Sequence, residues 1–265
     1  MSEESAVWYS SLDGLSLFAR RLGASSRRAA LLCLHDVAQT SRSFIPLAHE
    51  VASVRNVLIP DLRGHGRSDY PFDLKTYSIA MLAEDAAALL AIEEVDAAIV
   101  VGSGFGGIVA LQLAALRPKA VTAVVLCECS PDLLPETITQ EALRAELAAS
   151  LGAWAQAERA LHGARLILRD EEGRPHEDWD PAAAPRLAHS LAQTKCWPLF
   201  EAAHGKPMLA IRGGASAKTS AADFEAMARC NTALKVVTIP NAADARHFDQ
   251  PEILRPIIGF LTSLP

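Results

Sequence analysis

Residues 99–114, with the sequence IVVGSGFGGIVALQLA, place four glycines and one serine between an apolar run and a helical pattern. A tight, glycine-bracketed turn from a strand into a helix can present a nucleophilic side chain at its apex, with the following N–H aimed at the reacting oxygen. The chemistry suggested is nucleophilic acyl transfer, which needs a hydroxyl, a base within hydrogen-bond reach and a group that orients the base. The question is whether Ser103 stands at the apex.

In open α/β folds, ligands bind at the carboxyl ends of the parallel strands. A site built on parallel strands is therefore expected at that edge of the sheet.

Short aliphatic runs alternate with helical patterns along most of the chain. The predicted strands include AALLCL, AAIVV, VTAVVLC, PMLAIRG and LKVVTIP, and the predicted helices include SIAMLAEDAAALLAI, GGIVALQLAAL and AADFEAMARC. Strands that alternate with helices of this length, several of them apolar on both faces, indicate a mostly parallel sheet flanked by helices. The predicted fold class is α/β.

Residues 131–204 interrupt this alternation. They are rich in alanine, helical in pattern and contain no convincing strand, with Pro and Gly at EEGRPHEDWDP. We therefore expect a core of residues 1–130 and 205–265, with 131–204 inserted as a helical cap over the ligand edge.

The composition limits the classes of partner. The 265 residues carry a net charge of −6 without a Lys/Arg run, which disfavours nucleic acid and anionic membranes as partners. The uncharged segment 97–116 is interrupted by glycines, which favours a buried strand-turn-helix over a membrane span. The N-terminal sequence MSEESAVWYSS has no apolar signal region, so a cytoplasmic location is expected.

Cysteine and histidine spacing gives no sign of a metal site. The five cysteines, Cys33, Cys127, Cys129, Cys196 and Cys230, contain no C-x-x-C pair and are expected to be reduced and structural. The histidines in or next to the cap, His162, His176, His189 and His204, lack the spacing of metal ligands. We expect no metal and no cofactor.

Three segments resemble the α/β-hydrolase superfamily, in particular small capped members such as enol-lactonases, cofactor-free haloperoxidases and related C–C bond hydrolases. LLCLHDVAQTSRSF resembles the H-G oxyanion loop, VLIPDLRGHGRSD the loop after the fourth strand, and IVVGSGFGGIVALQLA the nucleophile elbow. PMLAIRGGAS and IPNAADARHFDQPE extend the resemblance over nearly the whole chain outside the cap. It implies an α/β-hydrolase core with structural roles for a set of loop residues: His35, Asp61, Arg63, His65 and Ser68.

In register with the family pattern G-x-S-x-G, the nucleophile position holds Gly104. The acid position after the seventh strand holds Ser216, and the base position holds Asp244 in an ungapped alignment. This register predicts a degenerate catalytic triad.

Three alternative assignments of the catalytic residues remain open. Ser103 lies one place early and is either a displaced nucleophile or a polar structural residue. Glu128 is either an acid after the sixth strand or a solvent-facing strand-end carboxylate. His247 becomes the base if three loop residues are deleted from the alignment.

The resemblance also implies an oxyanion hole formed by the N–H groups of Phe105 and Val37. Asp36 replaces the glycine of the H-G pair, and its carboxylate would oppose a developing negative oxygen unless it is protonated or turned outward. With His35, these residues form the predicted ligand-binding set.

The leading functional hypothesis is a small-molecule binding protein without ordinary serine-hydrolase activity, a sensor or accessory protein. Its pocket is predicted to be lined by Asp36, Phe105, Ser216 and Asp244 and to take an uncharged or cationic organic ligand.

The alternative is a hydrolase, lyase or isomerase acting on a small ester, lactone or carbonyl compound. One version uses His247 to activate water with Glu128 as its partner. The other uses Asp36 and Asp244 as an acid–base pair whose pKa values are pushed apart.

A third class is an interaction module anchored by Trp154, Trp179 and Trp197, although packing of the cap onto the core is the preferred explanation of these residues. The resemblance also implies a homodimer, because cap helices of this family often mediate dimers.

Overall fold

The computed structural model describes residues 4–264 apart from 24–25, 27, 38, 140–141, 143–166 and 170–174. The described strands are β1 (Glu4–Ser10), β2 (Ser16–Leu22), β3 (Ala30–Leu34), β4 (Val57–Pro60), β5 (Ala98–Ser103), β6 (Val121–Cys127), β7 (Ile167–Arg169), β8 (Pro175–Glu177), β9 (Met208–Gly213) and β10 (Leu234–Ile239). Eight of them form one sheet in the order β1-β2-β4-β3-β5-β6-β9-β10. Within this sheet, the six strands β4-β3-β5-β6-β9-β10 pair in parallel with their neighbours. β2 pairs antiparallel with both β1 and β4. The predicted α/β class is confirmed.

The described α-helices are α1 (Ile45–Val51), α2 (Ile79–Ile92), α3 (Phe105–Leu116), α4 (Ala183–Gln193), α5 (Cys196–Ala202), α6 (Ala221–Cys230) and α7 (Pro251–Thr262). Short 3₁₀ helices cover Ser41–Phe44, Leu74–Thr76 and Pro135–Ile138. Ser78 caps α2 through a hydrogen bond from the Met81 N–H, and Ser220 and Asp223 form a capping box at α6. These caps lie where the sequence pattern predicts that the two helices begin.

Alternation along the central strands divides the core into two layers. Leu32 of β3 and Val100 of β5 pack on one face of the sheet with residues of α2, α3, α5 and α6. Their neighbours Leu31 and Ile99 pack on the other face with residues of α1 and α7. Because both faces are covered, the strands are apolar throughout, as the sequence indicates.

The segment 131–204 contributes no strand to the eight-stranded sheet, but the prediction that it contains no strand is wrong. β7 and β8 pair antiparallel in a small separate sheet. Each has three residues, too few for a period-2 pattern to be distinguished from the adjoining helical pattern. Most of the predicted helix over 141–168, with Trp154 and His162, lies outside the described residues.

The end of this segment is fastened to the loop after β4. The Gly66 N–H donates to the carbonyl of Asp178 at 2.8 Å, and the Asp180 N–H donates to the carbonyl of Gly64 at 2.7 Å. The Tyr77 hydroxyl donates to Asp180 Oδ2 at 2.7 Å. These bonds fix where the chain returns from the inserted segment to the core.

Trp179 and Trp197 pack within this arrangement. Trp179 is buried and bridges the His65 backbone, and Trp197 donates from Nε1 to Asp132 Oδ1 at 2.8 Å. Among the described residues, no helix is both long and apolar enough to cross a membrane.

Candidate functional site

The turn between β5 and α3 places Gly104 at its apex. Gly104 has φ 51° and ψ −123°, a left-handed backbone conformation that glycine adopts more readily than other residues. Close packing explains the flanking glycines, because a Cβ at Gly102 would overlap the backbone of Gly106, and a Cβ at Gly106 would overlap the carbonyl of Leu34. The turn thus has the tight geometry of a nucleophile elbow, with a residue at its apex that has no side chain.

Asp36 from the loop after β3 fills the space above this apex. A Cβ on Gly104 would lie 2.5 Å from Asp36 Cγ and 2.7 Å from Oδ1, well inside van der Waals contact. The carboxylate therefore occupies the volume in which a nucleophilic side chain at position 104 would stand. Any side chain at position 104 is incompatible with the present position of Asp36.

The same carboxylate occupies the expected oxyanion hole. The N–H groups of Val37 and Phe105 both donate to Asp36 Oδ1 at 2.9 Å. Phe105 is the first residue of α3, whose positive dipole end also favours an anion at this point. The expected position of an oxyanion is taken by an oxygen of the protein itself.

Arg246 supplies the countercharge for Asp36. Its Nη1 donates to Asp36 Oδ2, and its Nε donates to Asp244 Oδ1 and Oδ2 at 2.8 and 3.0 Å. Nη2 adds a further bond to Asp244 Oδ2. The guanidinium is buried and lies between the two carboxylates, so the three side chains form one ionic cluster.

The cluster keeps both carboxylates ionised. Burial alone would raise the pKa of Asp36, but Arg246, Lys218 and the amides of Phe105 and Val37 hold that pKa below its ordinary value. Burial likewise opposes ionisation of Asp244, and Arg246, His247 and Lys218 hold its pKa below the ordinary value as well. The expectation that the two carboxylates push their pKa values apart is wrong, because a guanidinium lies between them.

Ser103, the serine next to the apex, is buried at the end of β5. Its hydroxyl donates to Gln39 Oε1 at 3.1 Å, and the Asp36 N–H makes a long contact of 3.4 Å to the same oxygen. The side chain thus ties the end of β5 to the loop that carries Asp36.

Glu128 is fully buried directly after β6, so the expectation of a solvent-facing carboxylate is wrong. Ser216 Oγ and Thr219 Oγ1 donate to Oε2 at 2.6 and 2.7 Å. The Ala245 N–H donates to Oε1 at 3.1 Å, and the Gly213 N–H donates to the same oxygen. Glu128 has a left-handed φ of 49°, and its carboxylate accepts from the end of β9 and from the loops after β9 and β10.

Ser216 and Glu128 are therefore brought together as hydrogen-bonded partners, whereas His247 is not part of this cluster. His247 is exposed and lines an open cavity of about 420 Å³ with Asp244, Asn241, Gln250 and Glu252 among others. Glu128 is buried and His247 is exposed, which does not favour the predicted pairing of the two. Of the four predicted pocket residues, Asp36 and Phe105 are buried, and Ser216 and Asp244 are partly exposed.

His35 lies beneath the site as a neutral residue, with the ring of His65 packed edge-on against it. His35 Nε2 accepts from the Leu62 N–H at 2.9 Å, so Nδ1 carries the proton that is donated to the Asp36 carbonyl at 2.8 Å. Burial and the neighbouring His65 lower the pKa of His35 to about 4, and burial lowers the pKa of His65. His65 Nε2 also lies 2.7 Å from the carbonyl of Val37, which helps to fix the oxyanion loop.

The other loop residues singled out by the resemblance also make buried bonds. Asp61 accepts from the Ser41 N–H at 2.7 Å, and the Ser68 hydroxyl donates to the Asp61 carbonyl at 2.5 Å. The Arg63 guanidinium pairs with Asp85 at 2.6 Å and Asp13 at 2.9 Å. These contacts support the loops from below.

Arg246 is the residue that sequence reasoning missed. It stands two places after Asp244, in the stretch in which the family pattern directs attention to a histidine. The sequence does contain a signal for this residue. Asp36 replaces the glycine of the family pattern, and an arginine lies close to the base position. A buried carboxylate needs a partner of opposite charge, so the two could have been paired. Within the described residues, no cluster of three or more His, Cys, Asp or Glu side chains could hold a metal ion.

The apex of the turn is occupied by Gly104, which has no side chain, and the group that faces it is the carboxylate of Asp36, paired with the guanidinium of Arg246. An ionised Asp36 in the hole repels the negative oxygen of a tetrahedral intermediate. What remains is an ionic cluster with two carboxylates and one guanidinium beside a cavity.

Comparison with known proteins places this geometry in context. The sequence profile of the alpha/beta hydrolase fold family matches residues 29–169. A crystal structure of an alpha/beta hydrolase from Novosphingobium aromaticivorans is 29% identical, with a TM-score of 0.83 over 99% of each chain.

Two curated relatives match most of the chain. The 3-hydroxybutyrate-oligomer hydrolase of Cupriavidus necator is 24% identical over 86% of this chain and 87% of its own. The 2-(acetamidomethylene)succinate hydrolase of Mesorhizobium japonicum is 27% identical over 87% of each chain. With the profile matching more than half of its length and the sheet order described above, the chain belongs to the alpha/beta hydrolase fold family.

Proposed function

We propose that this protein lacks the standard Ser–Asp/Glu–His triad and binds a small organic ligand without ordinary serine-hydrolase activity. The observation that carries the proposal is the Asp36 carboxylate, which accepts both N–H groups expected to stabilise an oxyanion. In serine hydrolases, loss of the triad leaves roughly 10³–10⁴-fold catalysis over water from the oxyanion hole and binding. With that hole occupied, even this residual contribution is expected to be lost.

The charge of the cluster supports an uncharged or cationic ligand. Two carboxylates, Asp36 and Asp244, share the single positive charge of Arg246, and an anionic ligand would have to displace Asp36 from the two amides. Asp36 is covalently attached beside those amides, so its effective concentration there far exceeds that of a free ligand. A ligand therefore gains more by contacting Asp244 than by competing for the hole.

The cavity beside Asp244 is the proposed contact region. Its volume of about 420 Å³ lies within the range of small-molecule sites, roughly 300–1,000 Å³. Asp244 is partly exposed there and presents carboxylate oxygens with remaining acceptor capacity. We propose that residues of the inserted segment 131–204 complete the site as a cap.

The first test is incubation with a fluorophosphonate probe, followed by intact-mass analysis and peptide mapping. We expect no stoichiometric adduct and no hydrolysis of p-nitrophenyl butyrate above the buffer rate. Ser103→Ala and Ser216→Ala serve as matched controls for weak background labelling. A stoichiometric adduct on Ser103 or Ser216 that disappears in the matching variant would establish an activated hydroxyl and overturn the proposal.

The second test is a thermal-shift screen of uncharged and amine-containing compounds against the wild type, Asp244→Asn and Asp249→Asn. Asp249 is exposed and close in sequence to Asp244, so it controls for a general change in surface charge. We expect compounds that raise the melting temperature of the wild type and Asp249→Asn to lose that effect in Asp244→Asn. Equal shifts in all three proteins would exclude Asp244 as a ligand contact.

A further inference from the structure

Four of the five thiols in this chain are buried away from the surface. They are Cys33, Cys127, Cys129 and Cys196. Burial raises the pKa of Cys196 to about 11 and raises the pKa of the other three further above the ordinary thiol value. Buried thiols with raised pKa values react slowly, because the thiolate is the nucleophile.

Cys230 differs in exposure and in its neighbour. It is the last residue of α6 and is partly exposed, and its Sγ lies 3.5 Å from Nε2 of the exposed His204. The two atoms are within hydrogen-bond distance for a sulfur, and the S–H can donate to the ring nitrogen in the tautomer that leaves this nitrogen unprotonated.

His204 is held in this position from two sides. Its backbone N–H donates to the Glu201 carbonyl at 2.9 Å, just after the end of α5. Its ring packs edge-on against the fully buried ring of Phe200, with centroids 5.9 Å apart and planes at 85°. The imidazole is thereby oriented by the core, although its outer edge is in solvent.

We propose that Cys230 and His204 form a reactive thiol–imidazole pair that is the site of S-thiolation by low-molecular-weight disulfides. His204 Nε2 takes the thiol proton as Cys230 Sγ attacks one sulfur of the disulfide. The new protein–thiol disulfide forms while the old S–S bond breaks, and the departing thiolate receives the proton from the imidazolium. Atoms and electrons balance without a further oxidant, since the incoming disulfide is the species reduced.

This inference is independent of the proposed function, because the pair joins the ends of α5 and α6 and involves no residue of the Asp36–Arg246–Asp244 cluster. The carbonyl end of α6 disfavours a negative sulfur at Cys230, so the imidazole is the group that makes attack favourable. Removing the imidazole should therefore slow the reaction more than a change in general surface charge would.

The test measures the reaction of the folded reduced protein with 5,5′-dithiobis(2-nitrobenzoate) and with glutathione disulfide, with the modified peptide mapped by mass spectrometry. We expect one fast thiol, mapped to Cys230 and absent in Cys230→Ser. Since a positioned general base contributes about 10²–10⁴-fold in enzyme sites, we expect about a tenfold slowing in His204→Gln for this exposed pair. His189→Gln, which changes an exposed histidine on α4, should leave the rate unchanged.

The second measurement is the rate of thiol modification in the unfolded wild type and in unfolded His204→Gln. Because the pairing of Cys230 with His204 requires the folded chain, these two rates should be equal. An equal rate for the folded wild type and folded His204→Gln, or fast modification of a cysteine other than Cys230, would overturn the proposal.

Discussion

Two buried carboxylates at the same edge of the sheet are held in different ways. Asp36 accepts two backbone amides and pairs with the guanidinium of Arg246. Glu128 accepts two backbone amides and two hydroxyls, all of them neutral donors. Asp36 is therefore stabilised by a positively charged partner as well as by amides, whereas the hydrogen-bond donors to Glu128 are all neutral dipoles.

The two carboxylates differ in how many residues stabilise their negative charge. The largest compensation for the charge of Asp36 comes from Arg246, at the opposite end of the chain, and Lys218 and two amides add to it. Removal of Arg246 therefore leaves a buried charge without its main partner. The donors to Glu128 are spread over the end of β9 and the loops after β9 and β10, so no single side chain carries the whole compensation. The predictions below test this contrast between a single-partner and a distributed arrangement.

The largest effect is expected from Arg246→Met. It leaves Asp36 and Asp244 in the site without their shared partner, and breaking a buried pair costs about 3–5 kcal/mol. Urea denaturation at neutral pH measures the loss in the free energy of unfolding. Arg229→Met is the control, since its exposed pair with Glu225 at 3.9 Å is expected to contribute under about 1 kcal/mol. Similar losses in both variants would contradict the central role of Arg246.

Gly104→Ser is expected to have the next largest effect, about 2–4 kcal/mol from overpacking against Asp36 and from left-handed backbone strain. The Cβ clash is specific to the Asp36 carboxylate, so the loss should be smaller when Gly104→Ser is introduced into Asp36→Gly. A double-mutant cycle by urea denaturation measures this coupling, expected at about 1–3 kcal/mol. Additive losses in the free energy of unfolding would show that Asp36 does not fill the space above Gly104.

Glu128→Gln is expected to cost less, about 1–2 kcal/mol, which is typical when one hydrogen-bonding partner is altered. The amide oxygen can keep the bonds from Gly213 and Ala245, and the amide NH₂ can donate to the hydroxyls of Ser216 and Thr219. Because neutral donors surround this side chain, loss of its charge is tolerated. A loss as large as that of Arg246→Met would remove the contrast between the two carboxylates.

The smallest effect concerns pH. Asp36 and Asp244 have pKa values below the ordinary carboxyl value in the folded state, so their contribution to stability is present above about pH 4 and is lost as the pH falls through the folded values. In Arg246→Met the main cause of this lowering is absent, and burial then favours protonation. The difference in unfolding free energy between wild type and variant should therefore shrink on acidification from pH 7 to pH 3. Urea titrations across this range measure it, and a constant difference would contradict the pairing.

Much of the fold was predictable because local patterns and tertiary environment agree. The predicted strand VTAVVLC coincides with β6, and the helix AADFEAMARC coincides with α6. β1 is an edge strand in which only Tyr9 is buried, and its apolar residues are consecutive instead of alternating with polar ones, so the sequence pattern did not predict it. The short strands β7 and β8 were missed because three residues do not define a period.

The glycine frame of the turn and the place of Gly104 at its apex could be predicted from a few consecutive residues, whose backbone geometry follows from steric rules. The amides of Val37 and Phe105 were indicated by the family resemblance. The side-chain arrangement depends on tertiary packing: the Asp36 carboxylate accepts from both amides, and Arg246, 210 positions away along the chain, donates to it. Pattern and spacing describe neighbours along the chain, whereas a buried ion pair depends on side-chain directions that packing fixes only when the sheet and its loops have assembled.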